Sequence, residues 1–98
     1  MSSTDQPHLP AGAVYVRSTP EFDATSTPPG LRRAHQVAEG VWGVLRVRSG
    51  TVTFVLEESG DAVDIGAGGH HVIEPEVRHH VVVADDARFV VEFHRLAD

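Results

Sequence analysis

The sequence contains no cysteine and no lysine, so all eight of its basic residues are arginine. Without cysteine there is no disulfide, no thiolate nucleophile and no Cys-ligated zinc or iron–sulfur centre. Without lysine, Schiff-base chemistry and the phosphate-binding lysine of a P-loop are excluded. Positive charge is scarce altogether. Fourteen Asp and Glu leave a net charge of −6, the wrong sign for a nucleic-acid partner. No apolar run approaches the ~20 residues that span a bilayer, so no membrane partner is expected. The opening residues, Met1 to Pro7, have neither the basic start nor the apolar stretch of a signal peptide, and a cytoplasmic location is expected. No Gly-x-Ser-x-Gly elbow is present, which removes the usual support for a serine hydrolase.

What is there is valine. Of 98 residues, 16 are Val, against 5 Leu, 2 Ile and 1 Met. Valine is stiff at χ1 and fits a pleated surface better than a helix, so the composition predicts a β-protein. A chain of this length allows one domain, with stability that is modest or shared with a second subunit. Residues 1–10, polar and Pro-bearing, read as a flexible tail, and residues 11–98 as the domain. Val14–Arg17 is predicted as a short strand, followed by a Pro-rich connection through Thr25-Ser26-Thr27-Pro28-Pro29-Gly30, both wrapping the outside of the barrel. Leu31–Val37 is predicted to be extended. Strands are then predicted at Val41–Arg48, Thr51–Glu57, Ala62–Ile65, His70–Ile73, His79–Val83 and Arg88–His94, each ended by a turn signal. Short strands at such spacing predict a sandwich or barrel.

Seven histidines, at positions 8, 35, 70, 71, 79, 80 and 94, are the loudest compositional signal. Period-two alternation puts Val52, Phe54 and Leu56 on one face of their strand. In the last strand Val90, Glu92 and His94 share a face, and Phe89, Val91, Phe93 and Arg95 share the other. Alternation alone leaves open which of these two faces is interior. Adjacent histidines point to opposite faces, so one at most of each pair can look inward; His71 and His80 are assigned to the surface or a strand edge, and His8 to the tail. Trp42 is read as packing, and Arg46, Arg48, Arg32 and Arg33 as a solvated face, an oxyanion-binding group or part of a subunit contact.

Gly68, five intervening residues and Glu74-Pro75-Glu76-Val77-Arg78-His79 have the spacing of the second cupin motif, Gly-x5-Pro-x-Gly-x-x-His, with Pro displaced by one place and Gly replaced by Glu76. Gly43 to Gly50 matches the Glu-x6-Gly spacing of the first motif, with Gly43 in the place of its Glu. Further blocks are Leu9-Pro10-Ala11-Gly12, Ser18-Thr19-Pro20-Glu21-Phe22 and Pro29-Gly30-Leu31-Arg32-Arg33-Ala34-His35. The longest runs from Gly40-Val41-Trp42-Gly43 to Thr53-Phe54, and Val91-Glu92-Phe93-His94-Arg95 closes the series. On these residues the sequence resembles the small cupin family that includes YeaR-like proteins and the N-terminal domain of the tellurite-resistance protein TehB. Relatives often carry Thr-Lys after the first His, where this chain has Gln36-Val37, and usually Trp before the second, where it has Arg78.

The resemblance implies an all-β fold, a single cupin-type barrel (double-stranded β-helix, or jelly roll), with His35 and His79 at matching positions. It implies no methyl transfer, which belongs to a separate domain in two-domain relatives. Three functional readings follow. The first is a small metal-binding cupin of the tellurite-resistance type, binding or processing a small molecule or oxyanion in a stress response. In this reading His35 and His79, completed by His94 or Glu92, hold a divalent ion, which is zinc, nickel, iron or manganese. The second is a metal-dependent enzyme of dioxygenase-like or isomerase-like type, and the third a metal-free ligand-binding or regulatory module. A homodimer is expected, because an exposed Val-rich edge in so small a chain needs protection.

Overall fold

Valine-rich segments form strands where the alternation puts them. The computed structural model describes residues 8–33 and 37–96. Within them lie β1 (Ala13–Ser18), β2 (Phe22–Asp23), a 3-10 turn (Pro29–Arg32), β3 (Val41–Ser49), β4 (Thr51–Leu56), β5 (Ala62–Gly66), β6 (His70–Ile73), β7 (His79–Val83) and β8 (Arg88–Leu96). One sheet has the order β1-β8-β3-β6, with β2 also paired to β8, and the other has the order β5-β4-β7. Every ladder is antiparallel. The fold is all-β and resembles a small barrel or cupin, but the barrel is not closed: among the described residues no ladder joins the two sheets.

The core fills the space between the sheets. Leu45, Val47, Ile73, Phe89 and Val91 face inward from the first sheet, and Val52, Phe54, Ile65 and Val81 from the second. Removing a Val, Leu or Phe side chain fully from water stabilises a fold by roughly 1.5–3 kcal/mol. The outer face of the first sheet is not wholly wet either. Val44, Val72 and Val90 lie on it and are buried too, so β3 and β8 are apolar on both sides.

Two expectations about the N-terminal third need correcting. β1 does not wrap the outside; it is an edge strand hydrogen-bonded to β8, whose other edge is taken by β3. The Pro-rich segment folds inward. Pro29 opens the 3-10 turn, where its fixed φ is suitable and its missing N–H costs nothing. Leu31 therefore sits in a turn rather than an extended segment, packed against the core.

Of the six described residues with a positive φ, Gly50 and Glu76 bear on the site. Gly50, between β3 and β4, has φ 65°, and a Cβ there would lie 2.6 Å from Cα of Ala87. Glu76 has φ 63° without being glycine. It occupies the place of the glycine in the cupin-like motif, the residue type that adopts a positive φ without a Cβ penalty. Its N–H donates to the Val37 carbonyl at 2.8 Å, which ties the loop before His79 to the chain entering β3.

Candidate functional site

His79 opens β7 opposite Leu56 of β4, on the face that carries Phe54 and Val81. Its side chain is 1% exposed, among the most buried in the molecule. Nδ1 lies 3.0 Å from the Val77 carbonyl. A carbonyl only accepts, so Nδ1 carries the proton, and in the neutral ring the lone pair is on Nε2. The Phe54 ring lies 4.9 Å from the His79 ring and 4.7 Å from that of His71. His71 lies on the edge strand β6, as one of its two expected placements had it, but its ring turns inward rather than to the surface. Its register partner Leu45 faces the core, and β-pleating carries His71 with it. Burial, and then the neighbouring His70, hold the His71 imidazole below its ordinary value.

Beside His79 is a cavity of about 200 Å³. Leu45, Ile73, Val81, Phe89, Val91 and Phe93 form its walls, and Pro28, Gly30 and Leu31 of the inward-folded Pro-rich segment form another side. Among the described residues, Thr19 and His79 are the polar side chains in this lining. An apolar cavity of ~150 Å³ accepts a benzene-sized guest, so the space suits a compact organic molecule.

The four residues expected to share a metal do not all come together. His35 lies outside the described residues. Glu92 and His94 are close to each other, with His94 Nε2 at 3.4 Å from Glu92 Oε1. Both are on the face of β8 turned away from the core, whereas Phe89, Val91 and Phe93 point inward. The wall of the first sheet therefore stands between this pair and His79. Arg46 Nε donates to Glu92 Oε2 at 2.7 Å. Tyr15 meets the His94 ring edge-on at 5.7 Å, and Trp42 is its register partner on β3. Among the described residues no group of three or more His, Asp and Glu is arranged to hold a metal ion. Of the remaining histidines, His80 pairs through Nδ1 with the Glu57 carboxylate. His8 and His70 border an outer depression of about 540 Å³ together with Arg46.

The comparisons with known proteins agree with this architecture. The TehB-like domain model matches residues 17–91. The chain belongs to the TehB-like family. A crystal structure of a protein from E. coli strain K12 superposes with a TM-score of 0.86 at 26% identity, covering 95% of this chain and 100% of that one. TehB from Haemophilus influenzae gives a TM-score of 0.78 at 24% identity, covering 88% of this chain and 32% of that one. This TehB-like chain thus spans about a third of that TehB's length, and at such identity the likeness is one of fold. A search of the curated proteins gives no match. No helix among the described residues is long and apolar enough to cross a membrane.

His79 of this site is legible in the sequence, but the cavity beside it is not. The walls come from five separate strands and the Pro-rich segment, and no local spacing announces such a convergence. One signal was available: Leu31 follows two prolines and a glycine, and an apolar residue there needs a core to pack on.

Proposed function

We propose that this TehB-like domain is a ligand-binding module that takes a compact, largely apolar small molecule into the cavity beside His79. The observation that carries this reading is the cavity itself, in which a deeply buried imidazole of fixed tautomer stands, with Thr19, among described lining residues that are mostly apolar. Apolar walls supply the affinity, and a few fixed polar groups orient the guest. A bare oxyanion suits this space poorly, because charge buried without a partner is costly. The family supports a role related to tellurite resistance, and in this reading the domain serves a stress response by sequestering or presenting its ligand.

Ligand-dependent melting tests the proposal. A guest at a hundredfold excess over its Kd adds ~2.7 kcal/mol, and each kcal/mol is ~4–8 °C for a domain of this size. Benzyl alcohol near saturation should raise Tm by several degrees, and Val91→Leu, which fills part of the cavity, should reduce the gain. An unchanged Tm at every concentration up to solubility would contradict the reading.

A second reading, a divalent ion held by His79 with His35, is favoured by the Val77 carbonyl. Metal-ligating histidines are oriented in this way, with the far nitrogen donating to a fixed acceptor. Zinc, nickel or manganese should then raise Tm at pH 7.5, and His79→Ala should abolish the gain. His94→Ala and Glu92→Ala, on the far side of the sheet, should leave it intact.

A further inference from the structure

Tyr15 and Arg17 would share a face in a regular strand, yet here they do not. Tyr15 is opposite His94, but Arg17, not Val16, is opposite Phe93, so Val16 is the extra residue of a β-bulge. Tyr15 stays on the outer face, where its hydroxyl and the Ser18 hydroxyl are 2.9 Å apart. Arg17 is turned to the inner face, and its guanidinium carbon lies 4.9 Å from the centre of the Phe93 ring. Bulges commonly re-aim a side chain in this manner beside functional sites. Arg95, two residues beyond Phe93, continues the same inner face, opposite Val14 and Val41.

The two arginines border one depression of about 380 Å³, lined also by Val16, Val37, Val41 and Phe93. Val37 and Phe93 line the His79 cavity as well, so the cationic rim and the apolar cavity meet at these two side chains. The chain carries 14 carboxylates, yet among the described residues neither Arg17 nor Arg95 forms an ion pair. The cation–π contact holds Arg17 in place without consuming its hydrogen-bond donors. Two guanidinium groups with donors to spare, at the edge of an apolar cavity, are a receptor for an anionic head on an apolar body.

We infer that the ligand is a small organic anion, its apolar part in the cavity beside His79 and its carboxylate, or a similar head, on Arg17 and Arg95. This rests on the cavity reading proposed above and adds the chemical class of the guest.

The test is an NMR titration of the full chain at fixed ionic strength with three probes: sodium benzoate, benzyl alcohol and inorganic phosphate. Benzoate should bind about tenfold or more tightly than benzyl alcohol, as charge-assisted hydrogen bonds imply. It should shift amides at the cavity (Val81, Val91) and at the rim (Val37, Phe93). The double variant Arg17→Gln, Arg95→Gln should remove this preference and leave the affinity for benzyl alcohol unchanged. Both side chains are exposed, so the variant should melt as the parent does, and Arg17→Lys, Arg95→Lys should keep part of the preference. Equal affinity for benzoate and benzyl alcohol, or a preference that survives the double Gln variant, would overturn the anionic-rim inference while the cavity reading stands. Phosphate binding as tightly as benzoate would overturn the apolar-body half of it. Failure of both organic probes to bind would overturn both readings together.

Discussion

Arg46 and Glu92, on neighbouring strands β3 and β8, are joined at 2.7 Å on the sheet face turned away from the core. Burial pushes the Glu92 carboxyl up, but hydrogen bonds from Arg46 and His94 outweigh it and leave the group below its ordinary 4.5. A carboxylate lowered on folding stabilises the native state above its unfolded value, and the gain is lost as pH falls through the folded one. Arg46 is about half exposed, so solvent screens the pair and the gain is only ~0.2–1 kcal/mol. Glu92→Gln should therefore lower stability by this amount at pH 7 and hardly at all near pH 3. Chemical denaturation at the two pH values checks it; an equal cost at both would mean that the pair does not act through charge.

His71 gives a second pH dependence of the same sign. Burial, and then His70, lower its imidazole below 6.5, so the unfolded chain takes up the proton first. Stability from this group is complete above 6.5 and declines as pH falls through that value. Replacing it by Gln should flatten part of the loss between pH 7.5 and 5.5. A stability profile of unaltered slope in His71→Gln would exclude this role.

Much of the fold was legible because period-two alternation and turn residues are local signals. β6 and β7 begin and end where the sequence puts them, and β3, β4, β5 and β8 differ by a residue or two. The pairing of side chains on β8 was legible too, but its orientation was not. Val90 and Val91 are both buried, one on each side of the sheet, so hydrophobicity cannot say which side is the core. That ambiguity placed Glu92 and His94 among candidate partners of His79, from which the sheet separates them. The β1 bulge was invisible for a similar reason: Val14, Tyr15 and Val16 offer no turn signal, and only the pairing with β8 reveals the extra residue.

Glu76 and Gly50 make opposite predictions from the same backbone region. A non-glycine residue in the left-handed conformation costs roughly 1–2 kcal/mol, partly offset in a glycine variant by ~0.5–1 kcal/mol of unfolded-chain entropy. Glu76→Gly should thus stabilise the protein by ~0.5–1 kcal/mol. Gly50→Ala adds a Cβ 2.6 Å from the Ala87 backbone as well as strain, and should destabilise by more than ~1 kcal/mol. Denaturation midpoints that move the other way would refute the backbone assignment.

The expected homodimer should form along β1. This strand is one edge of the first sheet, β6 being the other, and Val14, Tyr15 and Val16 on it are exposed. An apolar edge of this kind invites pairing with a second copy. Sedimentation should find a dimer at micromolar concentration that Val14→Lys dissociates. A monomer throughout the range would contradict it.

The cavity beside His79 is tested most directly by titration of labelled protein with benzyl alcohol, read at the His79 imidazole and at the amides around it. The prediction is saturable shifts confined to His79, Val81, Val91 and Phe93, with Val44, Val72 and Val90 on the opposite sheet face unmoved. Shifts centred on that outer face, or none at saturating probe, would contradict it.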